Sequence, residues 1–174
     1  MKTLLILSSP RKNGSNRYLF NIAKKYFENA DELLVYEGEY KGCKACDYCL
    51  THNECVKEDD TTLTLKKIAS YDRIVMFCPV YFCSFDCKTK ALIDRSQFMY
   101  VNPSDISGKI ALVVTQGASK EENHIGMDYA MKFFSKALGK EYVGCKVFSG
   151  LDKAGGVRNL SPENTLVEFL KRLD

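Results

Sequence analysis

The chain has 174 residues, 45% of them hydrophobic and 27% charged, with a net charge of +3, eight cysteines and no tryptophan. That length suits one domain, residues 1–174, whose core is large enough to stand without staples, and an even composition without repeats excludes a fibrous or disordered chain. The slight basic excess is spread out, so it leaves no nucleic-acid footprint, and no apolar run reaches the length of a membrane span.

The first predicted element is a buried strand at Thr3–Ser8, an apolar run too short to be a signal-peptide core. Without an export signal the expected compartment is a reducing cytoplasm, where clustered cysteines mean metal or redox chemistry more often than disulfides. After this strand comes Ser8-Ser9-Pro10-Arg11-Lys12-Asn13-Gly14-Ser15-Asn16-Arg17, a basic loop rich in hydroxyls that runs into a helix at Asn16–Asn29. Free N–H groups at a helix start favour an anion; Ser9, Ser15 and Asn16 add donors, Gly14 lies in the turn, and Arg11 supplies a bidentate charge. Neither G-x-x-x-x-G-K-[ST] nor G-x-G-x-x-G is present, which argues against a P-loop or dinucleotide domain. An ordinary polar turn with a good cap is the plainer alternative.

A second strand at Glu32–Tyr36 leads into an insertion at about 40–59 that holds Cys43, Cys46, Cys49 and Cys55 at C-x2-C-x2-C-x5-C. Four thiolates are the usual ligands of a cubane iron–sulfur cluster, and two-residue gaps let successive sulfurs share one concavity. Zinc competes for the same ligands, with His52 inside the loop, but zinc modules usually separate two ligand pairs by a dozen or more residues. Reduced thiols without metal are the third reading.

A helix at Thr61–Ser70, capped by Asp60, and a strand at Arg73–Cys78 follow. The next loop, Pro79-Val80-Tyr81-Phe82-Cys83-Ser84, sets aromatics beside exposed backbone, with the N–H groups of Phe82, Cys83 and Ser84 available to the edge of a flat ring. A helix at Asp86–Met99 with Asp86 as cap, and a strand at Lys109–Thr115 ending in Thr115-Gln116-Gly117-Ala118, supply a facing wall. A helix at Glu121–Leu138, a strand at Glu141–Phe148 and a helix at Ser161–Leu173, capped by Ser161, complete the chain. Alternating strands and helices predict an α/β three-layer sandwich around a parallel sheet, with the first and third strand-to-helix junctions adjacent at the carboxyl edge. Cys78 and Cys145 read as core side chains, and His52 and His124 as surface residues.

Together the three loops resemble the flavodoxin-like, NADPH-dependent FMN reductase family, and within it the iron–sulfur flavoprotein branch. The resemblance rests on Ser9-Pro10-Arg11-Lys12-Asn13-Gly14-Ser15-Asn16, on Pro79-Val80-Tyr81-Phe82 with Lys90-Ala91-Leu92-Ile93-Asp94-Arg95, and on the cysteine run leading to Asp59-Asp60. It implies a five-stranded sheet of order 2-1-3-4-5 with helices on both faces. It implies FMN held at its phosphate by Ser9, Arg11, Gly14, Ser15 and Asn16, and at its ring by Pro79 to Ser84 and by Thr115, Gln116 and Gly117. It further implies a [4Fe-4S] cluster on Cys43, Cys46, Cys49 and Cys55. NAD(P)H is the implied co-substrate, with small molecules or redox proteins as donor and acceptor and a homodimer or homotetramer as the assembly. The chemistry is then carried by the flavin N5, and no side chain is needed as acid or base. Two departures stand out: Arg17 replaces a Thr common in relatives, and Phe85 is bulky where relatives are small, which is expected to narrow the substrate side.

Three rivals differ in measurable ways. A cluster-free quinone or nitroaromatic reductase would hold flavin and no iron; a pure electron carrier would consume no NAD(P)H; a zinc-stabilised protein-binding module would hold zinc and no flavin.

Overall fold

The central sheet carries five parallel strands in the order β2-β1-β3-β4-β5. The computed structural model describes residues 1–117, 122–151 and 156–174. Its strands are β1 (Thr3–Leu7), β2 (Asp31–Leu34), β3 (Arg73–Pro79), β4 (Lys109–Thr115) and β5 (Glu141–Phe148). Each strand to a parallel neighbour needs a crossover, and the intervening segments supply helices α1 (Ser15–Tyr26), α3 (Asp60–Ala69), α4 (Cys87–Arg95) and α6 (Ile125–Ala137), while α7 (Glu163–Leu170) follows β5. Two one-turn helices, α2 (Cys49–His52) and α5 (Gln97–Tyr100), complete the set among the described residues.

Strand alternation divides the core in two, because successive side chains point to opposite faces. Leu4, Ile6, Ile74 and Met76 pack with Leu65, Leu92, Met131 and Phe134 under α3, α4 and α6. Leu5, Leu7, Val75 and Phe77 pack with Leu19, Phe20, Leu166 and Phe169 under α1 and α7. The strands are therefore near-continuous apolar runs, as expected of a sheet covered on both faces. The register slips between Ile110 and Leu112, where β5 carries Gly144 at φ +115°, a bulge that bends the edge strand.

Several predicted boundaries are revised. The second strand begins and ends earlier than expected, and Val35–Glu37 forms a 3-10 turn instead. The cap of α3 is Asp59, which accepts from the Thr62 N–H at 3.2 Å, not Asp60. Asp86 caps α4 as expected, accepting from the N–H groups of Lys88 and Thr89. The predicted Asp86–Met99 helix breaks at Ser96, whose hydroxyl bonds back to the Ile93 carbonyl at 2.7 Å and so competes with helix continuation. Helix α7 starts after Pro162 rather than at Ser161, which sits at φ +44°. The predicted start of α6 at Glu121, like Ala118, lies outside the described residues.

Candidate functional site

Two cavities are lined by the residues singled out in the sequence. The first opens at the carboxyl edge between β1 and β3, where strand order reverses and the two loops diverge. It has a volume of about 130 Å³ and is lined by Ser9, Arg11, Gly14, Ser15, Asn16, Pro79, Val80, Tyr81, Thr115, Gln116, Gly117 and Leu151. Helix α1 begins there with Gly14 as cap, no side-chain cap bond and no acidic residue in its first turn. Its opening N–H groups and positive dipole end are thus left to an anion.

Asn16 sits deepest, 3% exposed. Its amide donates to Thr115 Oγ1 at 2.6 Å, while its Oδ1 is buried without a partner. Such an acceptor is costly unless something donates to it, and a ribityl hydroxyl has the right chemistry. Val80 N–H donates to the Thr115 carbonyl, Gln116 N–H to the Phe148 carbonyl and Leu151 N–H to the Gln116 carbonyl, so the walls are stitched strand to strand. Behind them Ser8 accepts from Thr89 Oγ1 at 2.7 Å and from the Cys78 thiol at 3.3 Å. Burial pushes that thiol far above its ordinary range, with Ser8 opposing, so it is inert.

The loop after β3 closes as a tight turn in which Tyr81 and Ser84 exchange N–H···O bonds of 2.9 and 2.8 Å. Ser84 N–H therefore serves the turn, which revises its expected availability to a ring. Phe82 and Cys83 occupy the left-handed region at φ +46° and +59°, and Phe82 is fully exposed beside the rim. Phe82, Cys83 and Ser84 do not line the enclosed volume. Tyr36 lies beside Tyr81; burial, then the charges of Asp86, Tyr81 and Cys87, pushes its phenol up to about 12. One further expectation changes: Phe85 is buried in the core under α4 and does not line the cavity, while the Arg17 guanidinium lies over the Phe20 ring. Leu151 was missed, because only the sheet order brings the end of β5 to this rim.

The second cavity, about 390 Å³, is lined by Cys43, Cys46, Cys49 and Cys55 together with Asp94, Arg95, Gln97 and Phe98. Ala45, Asp47 and Asn53 take left-handed φ values of 51°, 54° and 57°, curling the loop around this volume. Ala45 N–H donates to Cys43 Sγ at 3.4 Å. The loop is anchored at several points: Lys41 N–H to Thr61 Oγ1 at 2.8 Å, the Cys49 carbonyl to Asn102 at 3.2 Å, and Gly42 and Cys55 to Arg95. Burial raises the Cys49 thiol, and the three other thiols raise it further. The thiols share the cavity without converging, since no three Cys, His, Asp or Glu side chains form a ready ligand set among the described residues. Four soft sulfur donors around one volume beside a guanidinium nonetheless have the chemistry that an iron–sulfur cluster requires. His52 stacks on Tyr48 at 3.8 Å and does not line the cavity.

A doubly wound sheet with an anion-ready first loop at its switch point has the plan of a nucleotide-binding fold, and comparison with known proteins says which kind. Residues 1–150 match the profile of the NADPH-dependent FMN reductase family, and the chain belongs to that family. It is 34% identical over 145 residues to an iron–sulfur flavoprotein of Archaeoglobus fulgidus, covering 80% of this chain and 70% of that one. A second Archaeoglobus fulgidus iron–sulfur flavoprotein is 30% identical over 157 residues, covering 87% and 70%, which supports the iron–sulfur flavoprotein branch. Among solved structures, an NAD(P)H:quinone oxidoreductase from Methanothermobacter marburgensis aligns with a TM-score of 0.69 at 11% identity, covering 97% of this chain and 95% of that one. The Trp repressor binding protein of Bacillus subtilis aligns at 0.67 and 14%, covering 99% and 100%. The protein is therefore an FMN-dependent oxidoreductase enzyme. Among the described residues no helix is long and apolar enough to cross a membrane.

Proposed function

We propose that the protein moves electrons between a nicotinamide or ferredoxin-type donor, FMN in the first cavity and a [4Fe-4S] cluster on Cys43, Cys46, Cys49 and Cys55. The observation that carries this reading is the second cavity, because all four thiols of the C-x2-C-x2-C-x5-C run line one volume. FMN, when bound, supplies hydride acceptance at N5 and one-electron release.

The chain's residues do the rest. Arg11 and the opening N–H groups of α1 bind the phosphate, with the Ser9 and Ser15 hydroxyls as further donors. The 130 Å³ cavity is smaller than a full pocket of roughly 300–1,000 Å³, so it would suit the phosphate and ribityl end of FMN. Asn16 Oδ1, buried without a partner, would accept from the ribityl chain. Pro79, Val80 and Tyr81 line the same cavity as Thr115, Gln116 and Gly117 and would hold the ring and exclude water from it, with the turn at Phe82, Cys83 and Ser84 toward the acceptor side. We read residues 1–174 as one domain with its insertion at 40–59, working in a reducing cytoplasm as a homodimer or homotetramer.

One specific observation favours a second reading. The thiols do not converge into a ligand set among the described residues, as would suit a cluster-free quinone or nitroaromatic reductase. Anaerobic purification with ultraviolet–visible spectra and iron, zinc and flavin analysis separates the two. About four irons per chain over flavin bands is the expected result. Flavin without iron after reconstitution would select the cluster-free enzyme, and unchanged iron in Cys49→Ser would remove that ligand.

A further inference from the structure

We propose that Arg95 is the positioning residue of the four-cysteine loop and that its guanidinium sets the charge environment of the Cys55 sulfur, an inference that rests on the cluster reading above. The Arg95 side chain is 2% exposed. Its Nη2 and Nε donate to the Gly42 carbonyl at 2.9 and 3.3 Å, and its Nη1 lies 3.3 Å from both Asp59 oxygens and 3.6 Å from Cys55 Sγ. One planar fork thus grips the residue before the first cysteine and the last cysteine itself, a span that a lysine ammonium does not reproduce.

The charge balance points the same way. A buried cation needs compensation, and among the described residues Asp59 is its carboxylate partner, 30% exposed, while the other partners are a neutral carbonyl and a thiol. Asp59 matches the formal charge of the guanidinium, and Cys55 Sγ takes the remaining contact of Nη1 at 3.6 Å. Reduction adds negative charge to a cluster, so a fixed cation against one of its sulfurs raises its potential. The same helix also holds the approach to the loop, since Lys88 Nζ donates to the Tyr36 and Gly38 carbonyls at 3.3 and 2.7 Å. Helix α4 is then a bracket, with the Pro79–Tyr81 wall before its first turn and the cysteine loop fixed at its last.

The test compares Arg95→Met, Arg95→Lys and Asp59→Asn with wild type after FMN loading and anaerobic reconstitution. Arg95→Met is expected to keep its flavin while losing cluster, with iron affinity down about tenfold or more as for other groups that orient metal ligands. The cluster that remains has a lower midpoint potential. Arg95→Lys restores the potential but not the iron content, and Asp59→Asn, which keeps a capping oxygen, shifts the potential upward. Wild-type iron content and potential in Arg95→Met would overturn the proposal. Should Arg95→Met fail to hold FMN, the other two variants decide by the same two quantities. Hydrogen exchange of iron-free, FMN-loaded protein reads the clamp alone: amides 43–57 exchange about tenfold faster in Arg95→Met while 109–115 stay unchanged, and equal exchange sinks the positioning role. Wild type that takes up no iron would end the cluster reading and the charge role together, with the exchange ratio still deciding the clamp.

Discussion

Asn16 combines two demands at one position. Its amide ties α1 to the end of β4, and its Oδ1 is buried without a partner. Asn16→Asp would set a carboxylate among groups arranged for an anion, so FMN affinity measured by flavin fluorescence should fall by about a hundredfold, or roughly 2.7 kcal/mol. Asn16→Ala should weaken binding less while lowering stability by about 1–2 kcal/mol through the lost bond to Thr115. Tyr71 gives a pH signature. Burial, then its hydrogen bond to Asp31, pushes its phenol from 10.0 up to about 12. The fold favours the neutral phenol, so its contribution is whole below pH 10 and is lost as pH rises from about 10 to about 12, where unfolding releases a proton. Urea midpoints across that window should decline less steeply in Tyr71→Phe than in wild type.

At the scale of elements, the turn after β3 places Phe82 and Cys83 in a conformation that asparagine and glycine occupy more easily. Phe82→Asn combined with Cys83→Gly should therefore raise thermal stability, by about 1–2 kcal/mol, in a melt of the flavin-free protein. Its failure to do so would mean that the turn is held by contacts outside its own backbone. Asp86→Ala should act the other way, costing about 1 kcal/mol by removing the acceptor for the Lys88 and Thr89 N–H groups. The same scale shows where sequence reading reaches its limit. The strand cores were legible because apolar runs in a two-sided sheet are nearly uninterrupted. The cap of α3 was not, because Asp59 and Asp60 are equivalent in sequence and differ only in which one meets Thr62 and Arg95. The break at Ser96 depended on a local back-bond that helical periodicity does not encode.

Across the whole molecule, the two cavities share no lining residue. FMN at a hundred times its dissociation constant should stabilise the protein by about 2.7 kcal/mol, and the same increment should survive replacement of Cys43, Cys46, Cys49 and Cys55 by Ser. A lost increment would mean that the loop shapes the flavin site. Most residues lining the first cavity were visible in the sequence because they sit in three loops next to strands, whereas Leu151 and Arg95 were not visible as site residues. Both reach their cavities through topology, one from the far end of β5 and the other from the far end of a helix counted with the flavin loop.

Arg95 holding Gly42 and Cys55 with a single side chain means that the thirteen-residue segment leaves and rejoins the scaffold at nearly one place. An excursion whose two feet stand together is an exchangeable cassette: it can be grafted, shortened or deleted with a brief turn across the gap while the five-stranded frame keeps its path. A lineage built on this plan can gain or shed the cysteine segment without redesigning the nucleotide-binding half of the molecule.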